Sequence, residues 1–203
     1  MAIHITPVQD YPAQLEEKKQ RTLQEFAKFG IQDLQVFPSP ADQYRMRAEF
    51  KVWQQNQQAH YAMYAPGQYK TPITIDRFEP GSETIQKLMP KLLNEINRNE
   101  ILRQRLFQAE FLSSQDGQCV VTLIYHKTLN DEWHDEAQKL SQNLQIDLIG
   151  RSRKQKRVIG RDHIFETFWV DNHPYQYQQV EASFTQPNAV ICRPCCNGQT
   201  TMP

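Results

Sequence analysis

Hydrophobic residues recur at helical spacing in three segments of the chain. The first segment runs from Tyr11 to Phe29, with apolar positions on one face and charges on the other. Gly30 follows directly and is suited to end the helix. The apolar face of this predicted helix consists of Leu15, Thr22, Leu23, Phe26 and Phe29.

A second helical stripe begins after Ser82, whose hydroxyl can cap the helix. Pro90 lies inside this stripe and predicts a kink or a split. A short helical piece is expected to continue to Arg105, and a third helix is expected from Asp131 to Asn143. The apolar positions of the second stripe are Ile85, Leu88, Met89, Leu92, Leu93 and Ile96.

Strand patterns fill most of the remaining chain. Between Tyr44 and Trp53 apolar and polar residues alternate, which is typical of a half-buried strand. Pro66-Gly67 and Asp116-Gly117 are turn signals between neighbouring strands. The other predicted strands are 60–65, 71–76, 107–112, 118–125, 146–150, 157–160, 164–169 and 175–180. Helices mixed with hairpin-linked strands predict an α+β fold, with a mainly antiparallel sheet and about three helices.

Composition limits the function classes without choosing one. A length of 203 residues suggests one domain, and 39% hydrophobic residues can form its core. The 23 basic and 23 acidic residues cancel, so no overall field identifies a partner. No apolar run approaches the length of a membrane span, and the N-terminus lacks the pattern of a signal peptide. Cys119 is the only cysteine in the patterned part, which favours a reducing compartment, and we expect a cytoplasmic protein.

Two clusters of basic residues are candidates for binding nucleic acid. Arg45, Arg47 and Lys51 share one face of the first predicted strand with Glu49, where the cations could contact successive phosphates. The alternative is a solvated face with cross-strand ion pairs. The second cluster spans 150–161 without an acid, and its alternative is a basic hairpin tip that only aids solubility. Its cations are Arg151, Arg153, Lys154, Lys156, Arg157 and Arg161.

Other candidate groups are weaker on their own. Phe107 follows a basic helix end and could stack on an unpaired base, although an aromatic residue there is more often core. His126 closes a strand, where a lone histidine is usually a surface residue. Cys192 and Cys195 could supply half a zinc site, but no second pair completes it, and we predict no metal site. The sequence contains no complete catalytic constellation.

Several motifs together resemble the N-terminal half of the bacterial tRNA (uracil-5-)-methyltransferase family. The resemblance covers roughly residues 8 to 189, with the motifs in order and at matching separations. The motifs are Tyr44-Arg45-Met46-Arg47-Ala48-Glu49-Phe50, Leu106-Phe107-Gln108, Tyr125-His126-Lys127, Asp131-Glu132-Trp133, Leu148-Ile149-Gly150-Arg151, Gln179-Val180-Glu181 and Ser183-Phe184-Thr185-Gln186-Pro187-Asn188.

The resemblance implies a function for several of these residues. The family uses S-adenosylmethionine to methylate carbon 5 of a uridine in the tRNA T-loop, which gives ribothymidine. Its N-terminal half binds RNA, and its Rossmann-like C-terminal half holds the methyl donor and a nucleophilic cysteine. By resemblance, Phe107 is a wedge into the opened T-loop and His126 is a neighbouring stacking group. Gln186 matches the glutamine that contacts the methyl donor.

The same resemblance places Arg45, Arg47, Glu49 and Lys51 on the RNA-facing strand. Lys51 stands where relatives can carry arginine, which keeps the charge but loses the bidentate fork. We also assign Arg151, Arg153, Lys154, Lys156 and Arg157 to RNA binding.

The chain departs from the family after the hinge, where its cysteines do not match the family's nucleophile. We therefore expect an RNA-binding domain at 1–182, a hinge at 183–189 and a disordered tail at 190–203, without the helix and methyltransferase domain that would follow. A frameshifted or prematurely stopped gene would explain this tail. The expected role is tRNA T-arm binding by a monomer that holds no donor and is inactive alone. The alternatives are a stand-alone RNA-binding module and a non-functional truncated fragment.

Overall fold

The computed structural model describes residues 10–31, 34–65, 67–68, 70–170 and 172–192. The helices are α1 (Tyr11–Phe26), α2 (Glu83–Arg98), α3 (Glu100–Arg103) and α4 (Asp131–Leu144), and a 3₁₀ turn, Ala27–Phe29, follows α1. The strands are β1 (Arg47–Gln55), β2 (Gln58–Met63), β3 (Ile73–Ile75), β4 (Leu106–Ser113), β5 (Cys119–Tyr125), β6 (Asp147–Ser152), β7 (Gln155–Ile159), β8 (His163–Val170) and β9 (His173–Val180).

Seven strands form one sheet in the order β3-β2-β1-β4-β5-β6-β7. All neighbouring pairs are antiparallel except β5 and β6, which α4 connects as a parallel pair. β8 and β9 form a separate antiparallel ribbon. The predicted α+β class with a mainly antiparallel sheet is confirmed. The Asp116-Gly117 turn is also confirmed, because Gly117 has a φ of 88°, which favours glycine.

The two long helices that follow β3 pack on one face of the sheet and enclose the main core. The hydroxyl of Ser82 accepts from the Ile85 N–H and caps α2, as predicted. α2 continues through Pro90 from Glu83 to Arg98 as one helix, so of the predicted kink or split the split is wrong, and the kink stays a prediction. Proline removes one backbone donor, but the buried side of α2 is continuous on either side of Pro90 and holds the helix against the sheet.

The other face of the sheet is covered only in part. Leu112, Val120 and Ile149 of the sheet pack with Ile164 of the ribbon in a second, smaller core. Residues further along β1, β4 and β6 extend past this contact and present polar side chains. This uncovered part of the face contains the candidate site.

α1 has the predicted cap but not the expected burial. Gly30 has a φ of 73° and ends the helix, as its position predicts. No residue of α1 is fully buried, and Phe29 is 65% exposed. The apolar side of this helix therefore does not belong to either core.

The segment after the hinge differs from the expected tail at its start. Residues 189–192 are helical, and the Asn188 side chain accepts from the Ile191 N–H in a capping hydrogen bond. The expectation that no helix follows the hinge is therefore wrong for these four residues. Residues 193–203, with Cys195, lie outside the described part of the chain.

Candidate nucleic-acid interface

Five residues from neighbouring strands stand side by side on the uncovered face. Lys51 pairs with Gln108, Gln108 with Ile124, Ile124 with Arg151, and Arg151 with Lys156. Paired residues point to the same side of a sheet, and adjacent strands are about 4.8 Å apart. We call these five residues the Lys51 row. It brings residues of both predicted basic clusters onto one surface.

Phe107 lies beside this row at an irregularity in β4. The pairing of β4 with β5 shifts between Leu106 and Gln108, so Phe107 is left without a partner on β5. Such bulges redirect a side chain out of the regular alternation. Arg105, with a φ of 61°, makes the bend into the strand. Phe107 is therefore half-buried at the surface and does not belong to either core.

Phe107, His126 and Lys51 form one group. The rings of Phe107 and His126 are stacked, with centroids 4.2 Å apart and planes inclined by 21°. Nζ of Lys51 lies 4.1 Å from the centroid of the Phe107 ring, within the range of a cation–π contact. An aromatic pair with an adjacent cation can offer a stacking surface to a base and a charge to its phosphate.

Lys51 is held over the ring by a polar chain along the sheet. Its ammonium donates to the side-chain oxygen of Gln108, and the Gln108 amide donates to Glu110. Glu110 stands directly opposite Glu49 on β1. Burial raises the pKa of Glu110, and the nearby Glu49 charge raises it further. Gln108 thus connects a cation to a carboxylate whose pKa is raised.

Arg47 contacts the hinge and not the open surface. Its guanidinium donates to the carbonyl of Ser183 at 2.7 Å and to the carbonyl of Glu181. The Arg47 side chain is only 19% exposed. Next to it, the backbone of Arg45 bridges to Asn188, and the Met46 N–H donates to the Pro187 carbonyl. The hinge is therefore bound along the start of β1.

A cavity of about 600 Å³ lies between β1 and the hinge. Arg45, Arg47 and Glu49 line one side of it, and Phe184 and Thr185 line the other. Phe184 is 91% exposed and belongs to neither core. Its aromatic side chain therefore lies at the edge of this cavity. The chain thus brings the predicted RNA-facing strand and the hinge to one opening.

The second basic cluster is largely neutralised by acids from other segments. Arg151 donates to both carboxylate oxygens of Glu181, at 2.7 and 2.6 Å. Lys156 pairs with Asp162 at 2.8 Å. Arg157 and Arg161 pair with Asp131 and Asp147, respectively. Residues 150–161 include no acid, but acids from other segments of the chain lie beside four of their cations in the folded protein.

Glu181 is the centre of this network. Its carboxylate is nearly buried and also accepts from the Thr122 hydroxyl at 3.1 Å. Burial alone would raise its pKa, but the hydrogen bonds and charge of Arg151 outweigh burial, so the pKa is lowered. Arg151 thus stabilises the ionised carboxylate and holds the start of the hinge against the sheet.

Arg153 and Lys154 differ from their neighbours. They form the exposed turn between β6 and β7, and Lys154 has a φ of 61°. Within the described residues neither side chain has an acidic partner. These two cations remain available to a phosphate backbone, unlike Arg151, Lys156 and Arg157.

The described residues offer little to a methyl donor. Gln186 is exposed, and its side-chain oxygen accepts from the Asn188 N–H at 3.2 Å. Gln186 does not line the cavity beside the hinge. Cys119 is buried, and burial raises the pKa of its thiol to about 12, which removes it as a nucleophile at neutral pH.

The described residues contain neither a metal-binding cluster nor a membrane-spanning helix. No group of three or more histidine, cysteine, aspartate or glutamate side chains comes together to hold a metal ion in this part of the chain. No helix in the described ranges is long and apolar enough to cross a membrane.

Sequence patterns did not identify Gln108 or Arg105 as site residues, or Glu181 as the partner of Arg151. Gln108 could have been found by extending the alternation of β4 to the face that carries Lys51. The pairing of Glu181 with Arg151 depends on how the ribbon returns to the sheet, and no local pattern reports that.

Comparison with known proteins identifies the group to which this chain is related. The model of a family described as tRNA (Uracil-5-)-methyltransferase matches residues 10–197. The chain belongs to this family. A tRNA/tmRNA (uracil-C(5))-methyltransferase from Saccharophagus degradans is 50% identical over 185 residues, which are 91% of this chain and 51% of the relative. The corresponding protein of Teredinibacter turnerae is 47% identical over 189 residues, 92% of this chain and 52% of the relative.

A solved structure supports the fold of this family member. Pyrococcus abyssi tRNA (uracil-54, C5)-methyltransferase, in complex with S-adenosyl-L-homocysteine, aligns with a TM-score of 0.68 and 16% sequence identity. The alignment covers 94% of this chain and 47% of that protein. The chain thus spans about half the length of the relatives and of the solved structure that it matches.

Proposed function

We propose that this chain is the tRNA-binding part of a tRNA uracil-C5 methyltransferase and that it recognises the T-arm. The observation that supports this most directly is the group formed by Phe107, His126 and Lys51. Stacked rings at the surface beside an ammonium suit an unpaired base of a loop, because bases stack on aromatic rings and phosphates pair with cations. Family membership supports tRNA as the ligand.

The phosphate contacts in this proposal are fewer than the sequence alone suggests. Four cations near this surface have no acidic partner among the described residues and are the candidates for phosphate binding. They are Lys51, Arg105, Arg153 and Lys154. Arg47 and Arg151 instead hold the hinge, Lys156 pairs with Asp162 at the start of the ribbon, and Arg157 pairs with Asp131 at the start of α4. Arg45 and Glu49 face the cavity beside the hinge, where a bound nucleotide would meet both charges.

A titration with a fluorescent T-arm hairpin tests this proposal. Four phosphate contacts predict that log affinity falls against log salt with a slope of about −3. An acceptor-stem hairpin of the same length serves as control and should bind more weakly. A flat salt profile, or equal affinity for the two hairpins, would contradict T-arm recognition.

The remaining parts of the proposal concern catalysis and context. When bound, S-adenosylmethionine supplies the methyl group in this family, and Gln186 is the residue proposed to reach it. We propose that the described half does not hold the donor on its own and that the chain is a cytoplasmic monomer. Calorimetry with S-adenosylmethionine and sedimentation at several protein concentrations test these statements separately from RNA binding.

A further inference from the structure

Part of the apolar side of α1 is left uncovered by the other described residues. Phe26 is 44% exposed and Phe29 is 65% exposed, and both lie on the face that periodicity assigns to the interior. Ile31 and Phe37, at 43% and 44%, extend the same apolar character beyond the helix. Because burial of apolar side chains is favourable, a cluster of them left in water indicates a contact surface.

α1 is attached to the body of the fold mainly at its beginning. The Ser39 N–H donates to the hydroxyl of Tyr11 at 2.8 Å. Further along the helix, a cavity of about 250 Å³ is lined by Thr22, Leu23 and Phe26 of α1 and by Ile31 and Leu34 of the segment that follows. The later turns of α1 therefore pack against the segment that follows the helix, and their outer side stays open.

The attachment point of α1 coincides with the exit of the hinge. The side-chain amide of Asn188 donates to the Ser39 hydroxyl at 2.6 Å, and Ser39 is the residue bonded to Tyr11. Asn188 also caps the helical residues 189–192. The base of α1 and the point where the chain leaves the hinge are thus joined through one serine.

We propose that the apolar side of α1, together with Ile31 and Phe37, docks on the C-terminal half that the relatives carry beyond the matched segment. The family match starts at residue 10, so α1 belongs to the shared architecture. The relatives are about twice as long as the matched part, and their additional half would emerge beside the base of α1. Three acidic and three basic residues in α1 balance, so the helix has no basic side to attract a membrane surface.

Hydrogen exchange on two natural proteins tests this inference. In the present chain, amides of residues 20–31 should exchange rapidly. In the full-length Saccharophagus degradans relative, the matching helix should exchange at least tenfold more slowly. Equally rapid exchange in both proteins would overturn the docking. Slow exchange of these amides in the present chain would also overturn the docking. This holds if the chain is monomeric, and also if its mass doubles in sedimentation because a second copy covers the helix.

A paired substitution gives an independent measurement. Phe26→Ser with Phe29→Ser should leave the melting temperature of the present chain within about 2 °C, whereas Phe50→Ser, in the core, should lower it strongly. In a chimera that joins residues 10–188 of this chain to the C-terminal half of the relative, the same pair should lower the melting temperature by several degrees. An unchanged chimera would contradict the proposal, and T-arm binding by the chain should be unaffected in either case.

Discussion

Arg47 and Ser183 are joined by a hydrogen bond of 2.7 Å between the guanidinium of β1 and a backbone carbonyl of the hinge. A second bond from Arg47 reaches the carbonyl of Glu181, and Arg151 holds the Glu181 carboxylate from the other side. Two cations that the sequence offers as phosphate contacts therefore hold residues 181–183 against the sheet. A hinge fixed in this way has a defined exit direction, which a loose linker lacks.

Substitution of Arg47 and of Lys51 should affect RNA binding in different ways. Lys51→Gln removes a proposed phosphate contact and should make the salt slope of T-arm binding shallower by about 0.7–0.9. Arg47→Gln should leave the slope unchanged and increase hydrogen exchange at 181–188, because the carbonyls lose their donor. A slope change of the same size for Arg47→Gln would show that Arg47 contacts phosphate.

Removal of the Phe107 ring should weaken T-arm binding without unfolding the protein. Phe107→Ala should cost about 1–3 kcal/mol of binding free energy, the usual range for stacking one base. Its melting temperature should change little, since the ring lies at a bulge outside the main core. Phe111→Ala on the same strand is the control, and should destabilise the fold by about 3–5 kcal/mol. Thermal unfolding and fluorescence anisotropy separate the two effects.

Helices and strands could be predicted from the sequence, but the partners of individual side chains could not. Alternation in β1 and the stripe of α2 have periods that only one secondary structure satisfies, and the buried positions match them. The burial of α1 was not predictable, since periodicity marks an apolar side without naming what covers it. The surroundings of the basic cluster at 150–161 were not predictable for a similar reason, because the acids that pair with its cations come from α4, the start of β6 and the ends of the ribbon.

Gly150 and Trp133 are packed so closely that no side chain fits between them. A Cβ at Gly150 would lie 2.1 Å from the Trp133 ring, which is fully buried under the sheet. Gly150→Ala should therefore lower the free energy of unfolding by about 1–3 kcal/mol or more. Combination with Trp133→Phe should cost less than the sum of the two single changes, because the smaller ring gives the methyl group room. Additive losses in urea unfolding would argue against this contact as the cause.

Two buried carboxylates should give opposite pH dependences of stability. The pKa of Glu181 is lowered in the folded state, because Arg151 outweighs the burial that would raise it, so its stabilisation is present above about pH 4.5 and is lost as pH falls through the folded pKa. Burial raises the pKa of Glu166, against the opposing hydrogen bonds from Gln115. Its stabilisation is present at low pH and is lost as pH rises through the folded value.

Glutamine variants check both directions by urea unfolding between pH 3 and pH 7. Glu181→Gln should be less stable than the natural chain at pH 7, by about 1–3 kcal/mol for the lost charge-assisted bonds, and the difference should shrink toward pH 3. Glu166→Gln should be more stable at pH 7, with a difference that also shrinks toward pH 3. A difference of the same sign for both variants at pH 7 would contradict the assignment.

The present chain alone should transfer no methyl group to tRNA. Carbon 5 of uracil is a poor nucleophile, and the family activates it by attack of a thiolate at carbon 6, which needs a positioned cysteine of suitable pKa. In the described residues Cys119 is buried beneath the sheet with a raised pKa, and Cys192 lies on the helical turn after Asn188. Alignment of the reacting atoms can be worth about 7–11 kcal/mol of the barrier, and the contact proposed for Gln186 would not provide this alignment alone. The measurement is incubation of the chain with labelled S-adenosylmethionine and unmodified tRNA, with the Saccharophagus degradans relative as positive control. Ribothymidine above background that disappears in Cys192→Ala would overturn the prediction and place the nucleophile next to the hinge.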